Sequence, residues 1–429
     1  MKQLLLAFYG DDFTGSTDAL EFLCRAGAKA VLFIDPPTEQ QLAAYPDIDA
    51  FGVAGYTRSL APNEMKKVLM PAFGKLKATG AKHVHYKVCS TFDSSPAVGS
   101  IGEAIDCGAS VFNNKVIPVL GGTPALGRFC AFGNLFAKMG IGSEGKVYRL
   151  DRHPSMSKHP VTPMNESDLR VHLGKQTNRS IGLIDIVELK KGIKDWRISE
   201  QAVLLDALSE DHLGRIGEWL NYMQQGETLF SVGSSGIEMA LGKYWNKTEL
   251  LTPLENWPEP GMASPLLVVS GSCSPVTASQ IAYAKSTGFE EVIVDAVRIC
   301  EDDFDKNSIF PAVNNLLQQQ KNVIVHTGEK QTNNLSSLKL GTALGLIAKQ
   351  MAEQKLVKRI VVCGGDTSSY AARAMDVEAL EMIAPIVIGA PLCKAISKNK
   401  SIHGLEVNFK GGQVGSENYF EVLTNGKPS

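Results

Sequence analysis

Short apolar runs recur along the chain, each followed by a turn of small residues and then by a stretch with helically spaced apolar positions. Residues 3–9 read as a buried strand and residues 16–25 as a helix, with Ala19, Leu20, Leu23 and Cys24 on one face. The same pattern predicts strands over 30–34, 50–54, 83–88, 116–120, 181–185 and 228–232. Such alternation predicts an α/β fold with mostly parallel sheets. The rhythm breaks where Pro253, Pro258 and Pro260 fall close together, since proline suits neither a helix interior nor a central strand. It resumes with a strand over 265–270, a helix from about Thr277, and strands over 291–294, 323–326 and 360–363. Two α/β domains are therefore expected, 1–257 and 258–429.

Composition narrows the class. Hydrophobic residues make up 44% of the 429 positions and charged residues 21%, which argues for a packed globular protein rather than a disordered one. Lys+Arg 43 against Asp+Glu 45 gives a net charge of -2, so neither nucleic acid nor a membrane surface is expected as partner. The apolar run at the N-terminus meets Asp11 and Asp12 too soon for a secretion signal, and no apolar stretch is long enough to span a membrane. The 8 cysteines are scattered without a C-x-x-C pair, as expected of reduced thiols in a cytoplasmic protein.

Candidate chemistry sits at the ends of the predicted strands. Asp11 and Asp12 end the first one, where open α/β sheets bind ligands. Adjacent carboxylates there suit a general base or a metal, while Thr14 and Ser16 can cap the following helix. A capped turn with solvated acids is the plainer reading. Lys87, Ser90 and Thr91 follow the 83–88 strand, and Arg58 follows 50–54. A cation beside hydroxyls and free N–H groups suits a carboxylate or phosphate, although a lone basic residue is usually surface charge.

The segment 148–163 carries Arg152, His153, Lys158 and His159 among prolines. Its histidine spacing fits no zinc pattern, and its X-Pro steps favour extended backbone. It reads as a loop clamping an anion through Arg152 and Lys158, with His153 as a third candidate, or as an ordinary surface loop. Three Gly/Ser-rich turns follow strands: 231–236, 270–275 and 364–369. Two of them in one domain point to phosphate binding, with Asp366 placed to hold Mg²⁺. Gly411 and Gly412 follow another apolar run, 405–409. Gly140, Gly142 and Gly145 match G-x-G-x-x-G but lie between a helical pattern and a strand, the reverse of a dinucleotide-binding turn. No P-loop sequence occurs.

In this order, Asp11-Asp12-Phe13-Thr14-Gly15, Arg58, the 87–91 segment, Ser270-Gly271-Ser272, Gly364-Gly365-Asp366-Thr367 and Lys410-Gly411-Gly412 resemble the four-carbon acid sugar kinases over nearly the whole chain. The resemblance implies an N-terminal α/β domain for the acid sugar and a C-terminal α/β domain for ATP, with phosphorylation of the terminal hydroxyl in the cleft between them. It implies that Asp12, Arg58 and Lys87 line the sugar site; Ser90, Thr91 and, from its own loop, Arg152 are expected as further substrate contacts. Ser270, Ser272, Gly364, Gly365, Asp366, Thr367, Gly411 and Gly412 would hold ATP, with Mg²⁺ at Asp366. Asp12 or Asp11 would serve as the base.

Many relatives read K-x-D-S-T-x-R-G where this chain has Cys89 for the acid and Asp93 for the arginine. With the 151–163 loop, that departure shifts the expectation from threonate or erythronate towards 3-oxo-tetronate or a branched keto acid such as 3-oxo-isoapionate. The expected partners are the sugar acid and ATP, and a homodimer is compatible with the sequence. Two rivals use the same anion sites without ATP: a sugar-phosphate hydrolase or aldolase, and a small-anion-binding protein.

Overall fold

Strands form close to where the apolar runs lie. In chain order they are β1 (Leu6–Gly10), β2 (Ala30–Phe33), β3 (Ala50–Ala54), β4 (His83–Lys87), β5 (Ile117–Leu120), β6 (Arg128–Ala131), β7 (Asn134–Lys138), β8 (Val147–Arg149) and β9 (Ile181–Ile184). They continue as β10 (Ala202–Leu205), β11 (Leu229–Gly233), β12 (Leu266–Ser270), β13 (Glu290–Ile293), β14 (Val323–His326), β15 (Arg359–Cys363), β16 (Ala379–Val387), β17 (Ala390–Ile396) and β18 (Glu406–Lys410). This computed structural model describes residues 2–139, 145–159, 161–299, 306–328 and 336–427. The glycine motif over 140–145, apart from Gly145, lies outside the described residues, as do Pro160 and Cys300.

Two compact units divide the chain. The first comprises Met1–Ala30 and Pro36–Glu255, and the second Val31–Asp35 and Asn256–Ser429. In the first unit the strand order is β3-β1-β4-β11-β5-β10-β9, and every neighbouring pair is parallel. β1, β3, β4 and β11 are buried at every position, which explains why they read as unbroken apolar runs rather than alternating ones. A small antiparallel sheet, β6-β7-β8, is added to this unit. An aromatic group backs the main sheet: Phe73 packs on Phe230 with ring centroids 5.2 Å apart, and Phe112 stacks on Phe230 at 5.0 Å.

In the second unit β13-β14-β12-β15-β18 run parallel, and β17, β16 and β2 extend the sheet antiparallel. Its core includes Leu266, Val268, Ile324, Val361, Ile386, Tyr419 and Phe420. The sheets are thus mostly parallel, as the strand–helix alternation predicted. Seven of the cysteines are free thiols. Among the described residues no helix is long and apolar enough to cross a membrane.

The second unit buries one ion pair that neither apolar pattern nor spacing reveals. Arg359 is fully buried on β15, and its Nη2 lies 2.6 Å from Glu406 Oε2 on neighbouring β18. Its remaining donors reach the carbonyls of Gly261 and Leu423. Removing one partner of such a pair strands the other charge in a low-dielectric interior. Glu406→Leu is therefore expected to destabilise the protein by about 3–5 kcal/mol, read as a lower urea midpoint. An unchanged midpoint would show that the two carbonyls suffice.

Candidate active site

The parallel order β3-β1-β4-β11 brings four strand ends side by side. Arg58 follows β3, Asp11 and Asp12 follow β1, Lys87 ends β4, and Ser234 and Ser235 follow β11. Of the residues expected from sequence, this arrangement gathers Asp11, Asp12, Arg58 and Lys87.

Asp12 is the N-cap of helix Phe13–Arg25. Its Oδ1 accepts from the Gly15 backbone N–H at 2.9 Å, and its Oδ2 accepts from Thr14 Oγ1 at 2.8 Å. Arg58 Nη2 also lies 2.9 Å from Oδ2, so both oxygens are engaged. Burial pushes the Asp12 carboxyl up, but Arg58, Lys87 and these donors outweigh it and hold the group below the usual carboxylate range. Asp12 is a fixed anion.

Asp11 differs although it is adjacent. Among the described residues its buried Oδ1 has no hydrogen-bond partner, and its Oδ2 accepts a long 3.4 Å bond from the Cys89 N–H. Burial, followed by the charge of Asp12, pushes its carboxyl up to about 7 against the pull of Arg58 and Lys87.

Lys87 is fully buried; its Nζ lies 3.5 Å from Asp18 Oδ2 and donates to the Val88 carbonyl at 2.9 Å. Burial lowers its proton affinity, but Asp18, Asp12 and Asp11 more than restore it, so the ammonium persists. Gly15 permits this approach, since a Cβ there would sit 2.5 Å from Asp12 Oδ1 and 3.0 Å from Lys87 Nζ. Asp18 accepts a hydrogen bond from Ser235 Oγ, so the 231–236 turn serves this cluster. Burial raises Asp18 to about 7, and it raises Glu238, which faces His85 Nε2 at 3.7 Å, to about 8.

The 87–94 segment shapes one wall. Phe92 holds a left-handed φ of 53° while fully buried, a costly conformation for a bulky residue and one that tends to occur at functional sites. Thr91 Oγ1 contacts Cys89 Sγ at 3.1 Å, and Ser90 is half-buried. Burial, then Asp93, pushes the Cys89 thiol up to about 12, so it is neutral.

Arg152 and Lys158 lie exposed on the 148–163 segment, in the short turns Leu150–Arg152 and Met156–Lys158. Buried His153 uses its Nδ1 to accept from the N–H groups of Ser155 and Met156. A further cation beside the cluster is Arg128, on β6. It interacts electrostatically with Cys89, Asp93 and Asp18. Sequence reasoning missed it because nothing in the apolar pattern marks the small antiparallel sheet as part of the site.

The cluster therefore holds five carboxyls (Asp11, Asp12, Asp18, Asp93 and Glu238) and three cations (Arg58, Lys87 and Arg128). Below pH of about 7, Asp11, Asp18 and Glu238 are mostly protonated. With those three neutral, less negative charge stands beside the three cations, which favours an anionic ligand.

The second unit gathers a different set. β12, β15 and β18 are neighbours, so the loops after them converge. Ser272 Oγ donates to Thr277 Oγ1 at 3.1 Å, and Thr277 Oγ1 donates to the Gly412 carbonyl at 3.3 Å. Fully buried Lys410 donates from Nζ to Thr277 Oγ1 and to the Gly411 carbonyl, both at 3.0 Å. Gly364 has φ 116°, where a side chain is strained, and a Cβ there would sit 3.0 Å from Thr367 Oγ1. Helix Gly365–Ala374 starts at this turn, so its free N–H groups lie beside Ser272 and Gly412. Ser270 is buried, with its Oγ accepting from the Ser272 N–H at 3.4 Å. Asp366 is exposed in the first turn of that helix, and no group of three metal-binding side chains exists among the described residues. One open carboxylate beside a phosphate-type loop fits Mg²⁺, which is usually held by one or two carboxylates plus substrate phosphates.

Comparison with known proteins divides the chain the same way. Residues 6–241 match a family model described as a sugar-binding N-terminal domain, and residues 267–420 match one described as a nucleotide-binding C-terminal domain. A 3-oxo-isoapionate kinase from Paraburkholderia graminis is 39% identical, covering 99% of this chain and 95% of the relative. A 3-oxo-tetronate kinase from Pseudomonas fluorescens is 27% identical, covering 97% and 95%. A crystal structure from Salmonella typhimurium LT2, provisionally described as a tRNA synthase, matches with TM-score 0.76 and 25% identity, covering 98% of each chain.

Proposed function

Since the chain belongs to the four-carbon acid sugar kinase family, we propose that it transfers the γ-phosphoryl group of ATP to the terminal hydroxyl of a branched keto sugar acid of the 3-oxo-isoapionate type. The chain is an ATP-dependent sugar acid kinase, and its full-length identity with the 3-oxo-isoapionate kinase is the observation that carries the choice of acid. The lower identity with 3-oxo-tetronate kinases makes the unbranched keto acid the second substrate to try.

Phosphoryl transfer needs positioning and charge stabilisation above all. In this reading the first unit holds the acid in its cation-rich cluster. Asp11 takes the proton of the attacking hydroxyl, because its free, buried oxygen and its pKa near 7 suit a general base. Asp12 keeps Arg58 and the helix start in place and orients the hydroxyl. The second unit cradles the triphosphate with the N–H groups and hydroxyls of 270–274, 364–367 and 410–412. Mg²⁺ held by Asp366 and phosphate oxygens would supply charge neutralisation. The reading places the enzyme in the cytoplasm, where ATP is available and free thiols persist.

The test is ADP release across a panel of 3-oxo-isoapionate, 3-oxo-tetronate, threonate, erythronate and their neutral polyol counterparts. Acids are expected to turn over with the branched keto acid preferred, and polyols to be inert. Equal turnover of the polyols would remove the carboxylate from recognition, and a preference for threonate or erythronate would overturn the choice of acid.

A further inference from the structure

Arg58 and Lys87, the cations expected to anchor the substrate carboxylate, are already engaged. Arg58 is bonded to Asp12 at 2.9 Å, and Lys87 sits between Asp18 and the Val88 carbonyl. Arg128 is not. Its Nη1 donates to the Leu126 carbonyl at 2.6 Å, but its Nε is buried without a hydrogen-bond partner among the described residues. Asp93 has its Oδ1 in the same condition, buried and unpartnered among the described residues. Asp93 and Cys89 both act electrostatically on Arg128, and Asp93 acts on Cys89.

A buried guanidinium N–H and a buried carboxylate oxygen, each left unsatisfied, are costly unless a ligand completes them. Their backbones leave little freedom to avoid the cost. Arg128 is fixed by paired hydrogen bonds between its backbone and that of Thr123, and by β6–β7 pairing. Asp93 follows strained Phe92 and precedes Ser94, whose Oγ is bonded to His172 Nε2 at 2.8 Å. Cys89, with which both residues interact, is neutral and adds no charge.

We propose that Arg128 and Asp93 are the specificity pair of the sugar-acid site: Arg128 binds the carboxylate through its unengaged Nε–H edge, and Asp93 accepts a hydrogen bond from the hydroxyl next to that carboxylate. The identity of the ligand as a sugar acid rests on the kinase reading above; the pairing rests on the two orphaned atoms. A carboxylate beside Asp93 would be repelled unless a hydroxyl proton came between them. The pair therefore selects a 2-hydroxy acid over its 2-deoxy analogue, since a site built for a hydroxyl is left unpaired by an analogue that lacks it.

The experiment compares wild type, Arg128→Met, Arg128→Lys and Asp93→Asn in two assays. One is ADP release with 3-oxo-isoapionate and with its 2-deoxy analogue; the other is calorimetric titration of the same acids without nucleotide. Arg128→Met is expected to weaken acid binding about ten- to a hundredfold, the usual loss of a hydrogen bond to a charged group, and to leave KM for ATP within about twofold. Arg128→Lys keeps the charge and is expected to recover part of the loss, which separates recognition from folding. Asp93→Asn is expected to narrow the discrimination between the two acids. Acid affinity unchanged in Arg128→Met, or discrimination unchanged in Asp93→Asn, would overturn the pair. Acid binding by wild type without ADP release from any acid would instead overturn the kinase reading, while the titrations still judge the pair.

Discussion

Asp11→Asn is expected to lower kcat by about a hundredfold or more, the usual scale for loss of a general base, with a much smaller change in KM for the acid. Burial and the neighbouring Asp12 charge hold the Asp11 carboxyl at about 7. Its basic form therefore accumulates as pH rises through about 7, and kcat/KM of the wild type should climb over that range and then level. The variant should lose this limb. A folded carboxyl raised above its unfolded value contributes stability in acid and loses it as pH rises through the folded pKa. Replacing Asp11 removes that alkaline loss, so Tm at pH 8 should not fall, and a kinetic defect cannot be ascribed to unfolding. Asp18 is also raised to about 7. A limb that survives in Asp11→Asn but disappears in Asp18→Asn would transfer the role of base.

Gly365→Glu is expected to raise KM for ATP about a hundredfold or more, since like-charge juxtaposition costs several kcal/mol and each 1.4 kcal/mol is about tenfold. Gly365 is the first residue of the helix that follows the positive-φ Gly364 turn, and a helix start offers free N–H groups suited to a phosphate. The added carboxylate brings both bulk and negative charge to that point. Stabilisation by ATP in a thermal-shift measurement should vanish, while titration with the sugar acid is unchanged, because the site proposed for the acid is in the other unit. Retained ATP stabilisation in a folded variant would move the nucleotide away from this turn.

Much of this was legible in the sequence. Parallel strands buried on both faces leave long apolar runs, so β1, β3, β4, β12, β14 and β15 announce themselves, and residues at their carboxyl ends become candidates by rule. Asp11, Asp12, Arg58 and Lys87 became candidates in that way, and the strand order β3-β1-β4 brings them together. Other parts carry no such mark. β2 looks like its neighbours in sequence, yet Val31–Asp35 belongs to the second unit, paired antiparallel with β16. The β6–β7 hairpin turns at Phe132 and Gly133, both with positive φ, rather than at an Asn-Gly signal. Half-buried and short, it offered no clear alternation, and Arg128 went unnoticed with it.

Roles within the site were less legible than positions. Adjacent Asp11 and Asp12 are equivalent in sequence, and only the cap bonds, the Arg58 contact and the unpartnered oxygen separate a fixed anion from a group that can exchange a proton. Arg152 had charge and a loop position in its favour, and the structure places it exposed on the short turn Leu150–Arg152.

The most direct test of the central claim is product analysis with the purified protein, ATP, Mg²⁺ and 3-oxo-isoapionate. The account predicts ADP and a singly phosphorylated acid in equal amounts, with the phosphate on the terminal hydroxyl by NMR and no free phosphate beyond background. ADP accompanied by free phosphate, or no phosphorylated acid from either keto acid, would contradict it.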